Sequence, residues 1–178
     1  MNYVTARRPG RSGVSRRCLR QNDQNDRSAI EPALMPTVSR SAIHAALIRA
    51  YRETHYEVHG AAPFCVLVDE RSAALADAHE RFETHCSVFV TACNPFSEDV
   101  GAASNARRHA AFGLELARRG LPHLEGIGRH PSSQWPGEPH YLVFGLALED
   151  ARSLARALEQ NAIVWSGADA VPRLILLR

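Results

Sequence analysis

Lysine is absent from the 178-residue chain, so all 21 of its Lys/Arg positions are arginine. This absence excludes enzymes that form a Schiff base on a lysine, and it excludes the nucleotide-binding loop whose lysine contacts the β- and γ-phosphates. Long apolar segments are also missing, because the longest apolar stretch, 141–148, is less than half of the roughly 20 residues needed to cross a bilayer. We therefore expect no membrane-spanning segment.

Metal-ligand and disulfide patterns are also missing. The four cysteines form no CxxC pair and mostly lie in apolar, strand-like segments, so we expect free thiols of a reducing, cytoplasmic compartment. The only histidines spaced four apart, His55 and His59, flank a strand-like segment, which disfavours a metal pair. Glu138 and His140 flank a proline and do not define a metal site by themselves, so the sequence predicts none.

Positive charge is concentrated in the first 34 residues, which hold seven arginines and three acidic residues although the whole chain carries only +2. This polar segment lacks periodic apolar residues, so we expect residues 1–34 to be a disordered arginine-rich leader. A flexible tail, a transit peptide and an upstream extension remain alternatives, and a true start at Met35 is favoured. Residues 35–178 are mildly acidic, which makes nucleic-acid binding by this part unlikely.

Alternating and helical apolar patterns in residues 35–178 predict one α+β domain, in which about four helices pack on a single mixed sheet of six to seven strands. The first helix is expected to be capped by Ser39 or Ser41. The first predicted helix ends near Arg52, and the second begins at Asp69 or Ser72. The third and fourth predicted helices span 99–119 and 149–160. The predicted strands are 54–58, 64–68, 86–92, 121–130, 139–147, 162–165 and 173–177.

Four short motifs occur in a fixed order: Thr91-Ala-Cys-Asn-Pro-Phe-Ser97, Trp135-Pro-Gly-Glu-Pro139, Gln160-Asn-Ala-Ile-Val-Trp165 and a C-terminal Leu-Ile-Leu-Leu-Arg178. Together they resemble the bacterial domain-of-unknown-function family 3293 over about residues 38–178. Asn105 matches an asparagine of that family's next helix, whereas His140 stands where the family more often has serine. The resemblance implies a bacterial intracellular domain with no established substrate, cofactor or partner.

The loop from Thr91 to Ser97 leaves the end of a buried strand and enters a helix, which is where α/β folds commonly place ligands. Thr91, Asn94 and Ser97 would all present hydrogen-bonding groups there. The alternative is a purely structural role, in which Asn94 belongs to an ordinary Asn-Pro turn and Ser97 caps the helix. Glu98 and Asp99 in the first helical turn disfavour a phosphate at this position.

Three further amides and one carboxylate complete the candidate set. Asn105 either supports the Asn94 turn or contacts a ligand, and Gln160 and Asn161 either cap the last helix or join the site. Glu138 is the one weak catalytic candidate, as a general acid or base, and the alternative is a carboxylate that holds loop amides. A thiol hydrolase built on Cys93 is disfavoured because nothing places a histidine beside it.

Two functions from different classes follow. The first is a domain that binds a small polar molecule or nucleotide, with or without catalysis, and with an unknown cofactor; its predicted ligand-binding residues are Thr91, Asn94, Ser97, Asn105, Glu138, Gln160 and Asn161. The alternative is a non-catalytic interaction or regulatory module, which predicts an exposed apolar patch around Trp135, Tyr141 or Trp165. The first function requires these polar side chains to face one concavity.

Overall fold

A computed structural model describes residues 42–132 and 136–178. The leader with its boundary at residue 34 and the start at Met35 lie outside the described residues and stay predictions. Ser39 and Ser41 also lie outside the described residues, but the predicted cap is wrong, because the first helix begins at Ala45 and its N-cap is His44. The described elements are α1 Ala45–Glu53, β1 His55–Val58, β2 Phe64–Val66, α2 Ala73–Arg81, β3 Ser87–Val90, a 3-10 turn Pro95–Ser97, α3 Ala102–Arg118, β4 His123–Arg129, β5 Glu138–Phe144, α4 Leu148–Ala157, β6 Ala162–Ser166 and β7 Pro172–Leu176.

The seven strands form one sheet in the order β2-β1-β4-β5-β3-β6-β7. This confirms the predicted α+β class with a single sheet and four α-helices. Each pair of neighbouring strands in the described sheet is antiparallel, rather than the mixture of directions that we expected. The reason is that the passage β2-α2-β3 does not join neighbours, since β1, β4 and β5 lie between β2 and β3 and alternate in direction.

Helices cover both faces of the sheet, because the strands place apolar side chains alternately on each side. On one face, Leu75 and Ala78 of α2 pack against a core that includes Phe89 and Phe144. On the other face, α3 and α4 bury a second core, which contains Val88, Val90, Phe112, Leu116, Tyr141, Val143, Ala151, Leu154, Ala155 and Ile163. The central strands β3 and β5 therefore read as nearly continuous apolar runs in the sequence.

The first helix, α1, is an exception to this packing. None of its residues is buried, although Leu47 and Tyr51 are half-buried. Its N-cap is His44, whose side chain accepts a hydrogen bond from the amide of Ala46. A helix of this length has little stability by itself, so α1 depends on the polar contacts and the partial burial described below.

The long helix α3 begins at Ala102, three residues later than the predicted start at Asp99. Gly101 has a φ of 81°, which a helix does not allow, and the Asp99 carboxylate accepts a hydrogen bond from the Gly101 amide at 2.8 Å. The acidic residue therefore organises the loop before the helix instead of its first turn. The predicted end is accurate, since the helix closes at Arg118 and Gly120 follows with a φ of 65°.

Within the described ranges, no helix combines the length and apolar character required to cross a membrane. The described cysteines, Cys65, Cys86 and Cys93, all carry free thiols. Over the same residues, no group of three or more His, Cys, Asp or Glu side chains is arranged to hold a metal ion.

Candidate functional site

A cavity of about 360 Å³ lies between α1 and the sheet. This volume falls within the range of small-molecule sites and well above the roughly 150 Å³ cavity that accepts benzene. Most of its wall is apolar or aromatic, and polar groups gather at one end. The polar residues in the wall are Tyr51, Thr54, Thr91, Asn94, Ser97, His130, Glu138, His140 and Gln160, and the apolar ones include Leu47, Ala50, Tyr56, Phe89, Ile163 and Leu174.

Part of the cavity wall is formed where β4 contributes a glycine between Tyr56 and Glu138. Gly128 pairs with Tyr56 on one side and with Glu138 on the other, so the three residues form one row across the sheet. A Cβ atom on Gly128 would lie 3.1 Å from the His140 ring. Glycine at this position therefore lets the His140 ring lie over β4, where it meets the Tyr56 ring edge-on at 5.8 Å.

A network of three side chains forms the polar end. The Asn94 amide nitrogen Nδ2 donates to Glu138 Oε2 at 2.6 Å, and Asn105 Nδ2 donates to Asn94 Oδ1 at 2.7 Å. Asn105 Oδ1 in turn accepts from the backbone amide of Asn94 at 2.9 Å. Asn105 thus supports Asn94 from behind, and Asn94 directs its amide at the carboxyl group in the cavity wall.

Thr91 connects this loop to β5. Its hydroxyl donates to the backbone carbonyl of Pro139 at 2.8 Å and accepts from the amide of Cys93 at 2.9 Å. The Thr91 side chain is buried, so both hydrogen bonds are protected from water. Much of the polar capacity of Thr91 is therefore used to fix the loop beside Glu138.

The loop holds three non-glycine residues in the left-handed region: Asn94 with a φ of 43°, Phe96 with 52° and Ser97 with 62°. Such conformations each cost on the order of 1 kcal/mol for residues other than glycine and persist where surrounding contacts determine them. The Phe96 amide donates to the carbonyl of Glu159 at 2.7 Å, which ties the loop to the end of α4. Ser97 lies in the 3-10 turn and does not cap α3, so its purely structural role as a helix cap is wrong.

Gln160 and Asn161 contact the same loop. Gln160 Nε2 donates to the carbonyl of Cys93 at 3.0 Å, and Asn161 Nδ2 donates to Ser97 Oγ at 3.0 Å. Asn161 does not take the left-handed cap position, because α4 ends at Ala157 and Glu159 adopts that conformation, with a φ of 60°. Gln160 Nε2 also donates to the carbonyl of Leu158 at 3.3 Å, so Gln160 joins the end of α4 to the loop.

The Glu138 carboxyl is largely buried, with 21% of the side chain exposed. Desolvation raises its pKa from 4.5 to about 7, although the hydrogen bond from Asn94 and the nearby hydroxyl of Thr91 act in the opposite direction. Close to neutral pH, this group therefore exchanges between its charged and its neutral form. A carboxyl group with this pKa in a cavity wall is suited to accept or donate a proton.

His140 stands two residues after Glu138 on the same face of β5. Its Nδ1 lies 2.6 Å from the backbone carbonyl of Glu138 and donates to it, which leaves Nε2 as an acceptor. Burial lowers the pKa of His140 to about 4, so the ring is neutral at physiological pH. Nε2 lies 4.0 Å from Glu138 Oε1, too far for a direct hydrogen bond.

Polar contacts at three positions hold α1 over the cavity. Tyr51 Oη and Ser97 Oγ are 2.5 Å apart, Arg52 pairs with Asp69, and Glu53 pairs with Nε2 of His130 at 3.1 Å. The side chains of Arg52, Asp69 and Glu53 are each at least half exposed, so these two contacts stabilise α1 only weakly. The contact from Tyr51 is the one that links α1 to the strained loop.

Replacing Tyr51 with phenylalanine removes this hydroxyl contact and keeps the ring. We expect Tyr51→Phe to lower the free energy of local opening of α1 by about 1 kcal/mol, the usual net contribution of one hydrogen bond. Hydrogen exchange measures this as a roughly fivefold faster exchange of α1 amides. Amides of β3 serve as the internal control, because β3 takes no part in the Tyr51–Ser97 hydrogen bond. Equal acceleration of exchange in α1 and β3 would contradict a local role of this hydrogen bond.

The structure brings the seven predicted residues together around one loop. Five of them line the cavity: Thr91, Asn94, Ser97, Glu138 and Gln160. The other two stand behind this layer, with Asn105 bonded to Asn94 and Asn161 bonded to Ser97. Their arrangement accounts for how distant motifs meet, since β3, β5 and β6 are neighbours in the sheet and α3 follows the loop.

Sequence reasoning missed the opposite wall of the cavity, formed by α1 and β1. No residue of these two elements was named as part of a site, although Leu47, Tyr51 and Tyr56 line the cavity. Two sequence signals pointed to the cavity. The first is the pair of alternating glycines, Gly126 and Gly128, inside a strand, which indicates that another group approaches the backbone closely. The second is the spacing of Glu138 and His140, which places both side chains on one face of β5.

The residues proposed for an exposed apolar patch are placed differently. Tyr141 is 5% exposed, and Trp165 packs against the core beneath α4 while its Nε1 donates to the carbonyl of Leu146. Trp135 lies outside the described residues. Cys93 is buried and its pKa is raised by desolvation, which disfavours a nucleophilic thiolate.

Residues 90–163 match the model of a family described as "Protein of unknown function (DUF3293)". The matched segment contains all seven predicted site residues, and it confirms the resemblance inferred from the sequence motifs. No curated protein and no solved structure matches the chain.

Proposed function

Because residues 90–163 match the model of a family of unknown function, we propose a function from the cavity itself. The protein binds a small molecule whose ring or other apolar body fills the space between α1 and the sheet and whose polar head meets Glu138 and Asn94. The observation that carries this proposal is the convergence of Asn94, Glu138 and His140 at one end of a largely apolar cavity. Concave apolar sites with a few polar groups are typical of ligand-binding sites.

The charge of the wall limits the polar head. Among the described residues that line the cavity none is an arginine, the chain has no lysine, and Glu138 is the one acidic residue in that wall. Phosphate and carboxylate groups are normally bound by arginine or lysine, so an anionic head lacks a counter-charge. This favours a neutral or cationic ligand, and it argues against the nucleotide that the sequence alone left open.

The proposed cellular location is the bacterial cytoplasm. Its resemblance to a bacterial family and the free thiols of Cys65, Cys86 and Cys93 support a bacterial cytoplasmic protein. The folded part is mildly acidic, which supports a small molecule over nucleic acid as its partner.

A cavity-filling substitution tests the proposal. Ala50 lines the cavity from α1, and leucine suits a helix nearly as well as alanine does. We expect Ala50→Leu to weaken binding of neutral ring compounds such as indole and benzyl alcohol at least about tenfold, a loss of roughly 1.4 kcal/mol, because the added methyl groups occupy their volume. The measurement is a ligand-observed NMR titration of the full chain.

Ala45→Leu, the same substitution at an exposed position of α1, is the matched control and should leave the affinities unchanged. Phenyl phosphate and benzoate form the anionic arm of the titration. Equal binding of indole to both variants, or tighter binding of the anionic compounds than of the neutral ones, would contradict the proposal.

A further inference from the structure

We propose that the ligand of this cavity carries a primary amino or ammonium group, and that this nitrogen lies between Glu138 Oε1 and His140 Nε2. The inference rests on the proposed function, since it names the chemical class of the molecule that fills the same cavity. It derives from two acceptor atoms that lie 4.0 Å apart in the cavity wall, Glu138 Oε1 and His140 Nε2.

The geometry of the pair fits one nitrogen atom. Oε1 of Glu138 and Nε2 of His140 lie 4.0 Å apart. A nitrogen placed at about 2.9 Å from both atoms makes two hydrogen bonds of normal length, provided that it has two hydrogens to donate. A hydroxyl group has one hydrogen and can satisfy only one of the two acceptors, so the pair distinguishes an amine from an alcohol.

Both acceptors are fixed by contacts on their far sides. Oε2 of Glu138 accepts from Asn94, which orients the carboxyl plane, and Nδ1 of His140 donates to the Glu138 carbonyl, which sets the tautomer. Gly128 leaves the space in which the His140 ring lies. A site whose acceptors are held in place before binding loses little entropy when the ligand enters.

The surroundings favour a positive charge on the bound group. The titratable side chains around Glu138 are His140 on β5, Tyr56 on β1, Tyr51 on α1, Cys93 after β3 and His130 after β4. The described part of the cavity wall includes no arginine that could neutralise the carboxylate. An ammonium group supplies this missing counter-charge, and aromatic rings such as those of Tyr51 and Tyr56, which line the cavity, tolerate a cation.

Three probes with one ring and different heads test the inference: benzylamine, benzyl alcohol and benzoate, titrated into the full chain by calorimetry at about pH 8, where Glu138 is ionised. We expect benzylamine to bind at least about tenfold more tightly than benzyl alcohol, as one charge-assisted hydrogen bond provides. Benzoate is expected to bind most weakly. Lowering the pH to about 5.5 protonates Glu138 and should remove most of the preference for the amine.

The isosteric variant Glu138→Gln identifies the group responsible. It should reduce benzylamine affinity about tenfold and benzyl alcohol affinity by clearly less, since the alcohol loses a charged acceptor but no ion pair. If benzyl alcohol binds and benzylamine binds no better, the amine inference fails while the cavity proposal stands. If none of the probes binds, or if they bind equally to Ala50→Leu, the cavity proposal fails and the inference with it.

Discussion

Asn94→Ala is expected to lower the free energy of unfolding by about 3 to 4 kcal/mol. Two contributions add to this loss. The Asn94 side chain bonds to Glu138 and Asn105, so its removal leaves buried polar groups unsatisfied. Asparagine also tolerates a φ of 43° better than alanine, which costs about 1 kcal/mol more in the left-handed region. Urea denaturation of the full chain at about pH 7 measures the change.

Asn94→Gly separates the two contributions. Glycine adopts the left-handed conformation freely and has no side chain, so this variant should be about 1 kcal/mol more stable than Asn94→Ala and still clearly less stable than the wild type. If both variants unfold within about 0.5 kcal/mol of the wild type, the network of Asn94, Asn105 and Glu138 contributes no stability, and its role in shaping the loop is wrong.

Glu138→Gln is expected to have the opposite effect and to stabilise the protein at alkaline pH. The pKa of Glu138 in the folded protein is raised from 4.5 to about 7. Its contribution to stability is therefore fully present below about pH 4.5 and is lost as the pH rises through 7. At about pH 8 the wild type holds a buried carboxylate that glutamine replaces without charge, so the variant should be more stable by on the order of 2 to 3 kcal/mol.

The pH dependence of the difference isolates Glu138 from other groups. Burial lowers the pKa of His140 from its ordinary value of 6.5 to about 4. The fold therefore loses stability as the pH falls from 6.5 through 4. This loss is common to wild type and variant and cancels in their difference. Thermal unfolding of both proteins at about pH 5 and about pH 8 should give nearly equal midpoints at the first pH and separate ones at the second. A variant less stable than the wild type at about pH 8 would identify Glu138 as a structural loop carboxylate.

A gain in stability combined with a loss of binding is the expected signature of a functional group. Proteins keep unfavourably buried charges where these serve a ligand, and replacing such groups commonly stabilises the fold. The opposite behaviour of Asn94 and Glu138 therefore separates their roles. Under the proposed function, Asn94 shapes the loop and positions the carboxyl group, whereas Glu138 would meet the ligand.

The sequence predicted the elements of the fold well because their signals are local. The apolar run of β3, the close of α3 at Arg118 and Gly120, and the period of α4 each depend on neighbours a few residues away. The direction of the strands was less accessible. Which strands become neighbours depends on long-range pairing, and here β3 is inserted between β5 and β6.

The candidate site shows the same division. The motif residues Asn94, Glu138 and Gln160 could be nominated from turn chemistry and from the family resemblance. The cap assignments of Ser97 and Asn161 failed where a single glycine or a left-handed residue shifted a helix end, as Gly101 and Glu159 do. The contribution of Tyr51 could not be predicted, because nothing local indicates that an amphipathic helix will rest on a hollow instead of a closed core.

The lack of any buried side chain in α1 gives the cavity a way to report its own occupancy. An apolar guest would supply Leu47 and Tyr51 with the packing partners that the protein itself leaves out, so the guest would complete a miniature core beneath the helix. Protease resistance of residues 45–53 would then rise with saturation of the cavity, so the stability of α1 would depend on the ligand concentration.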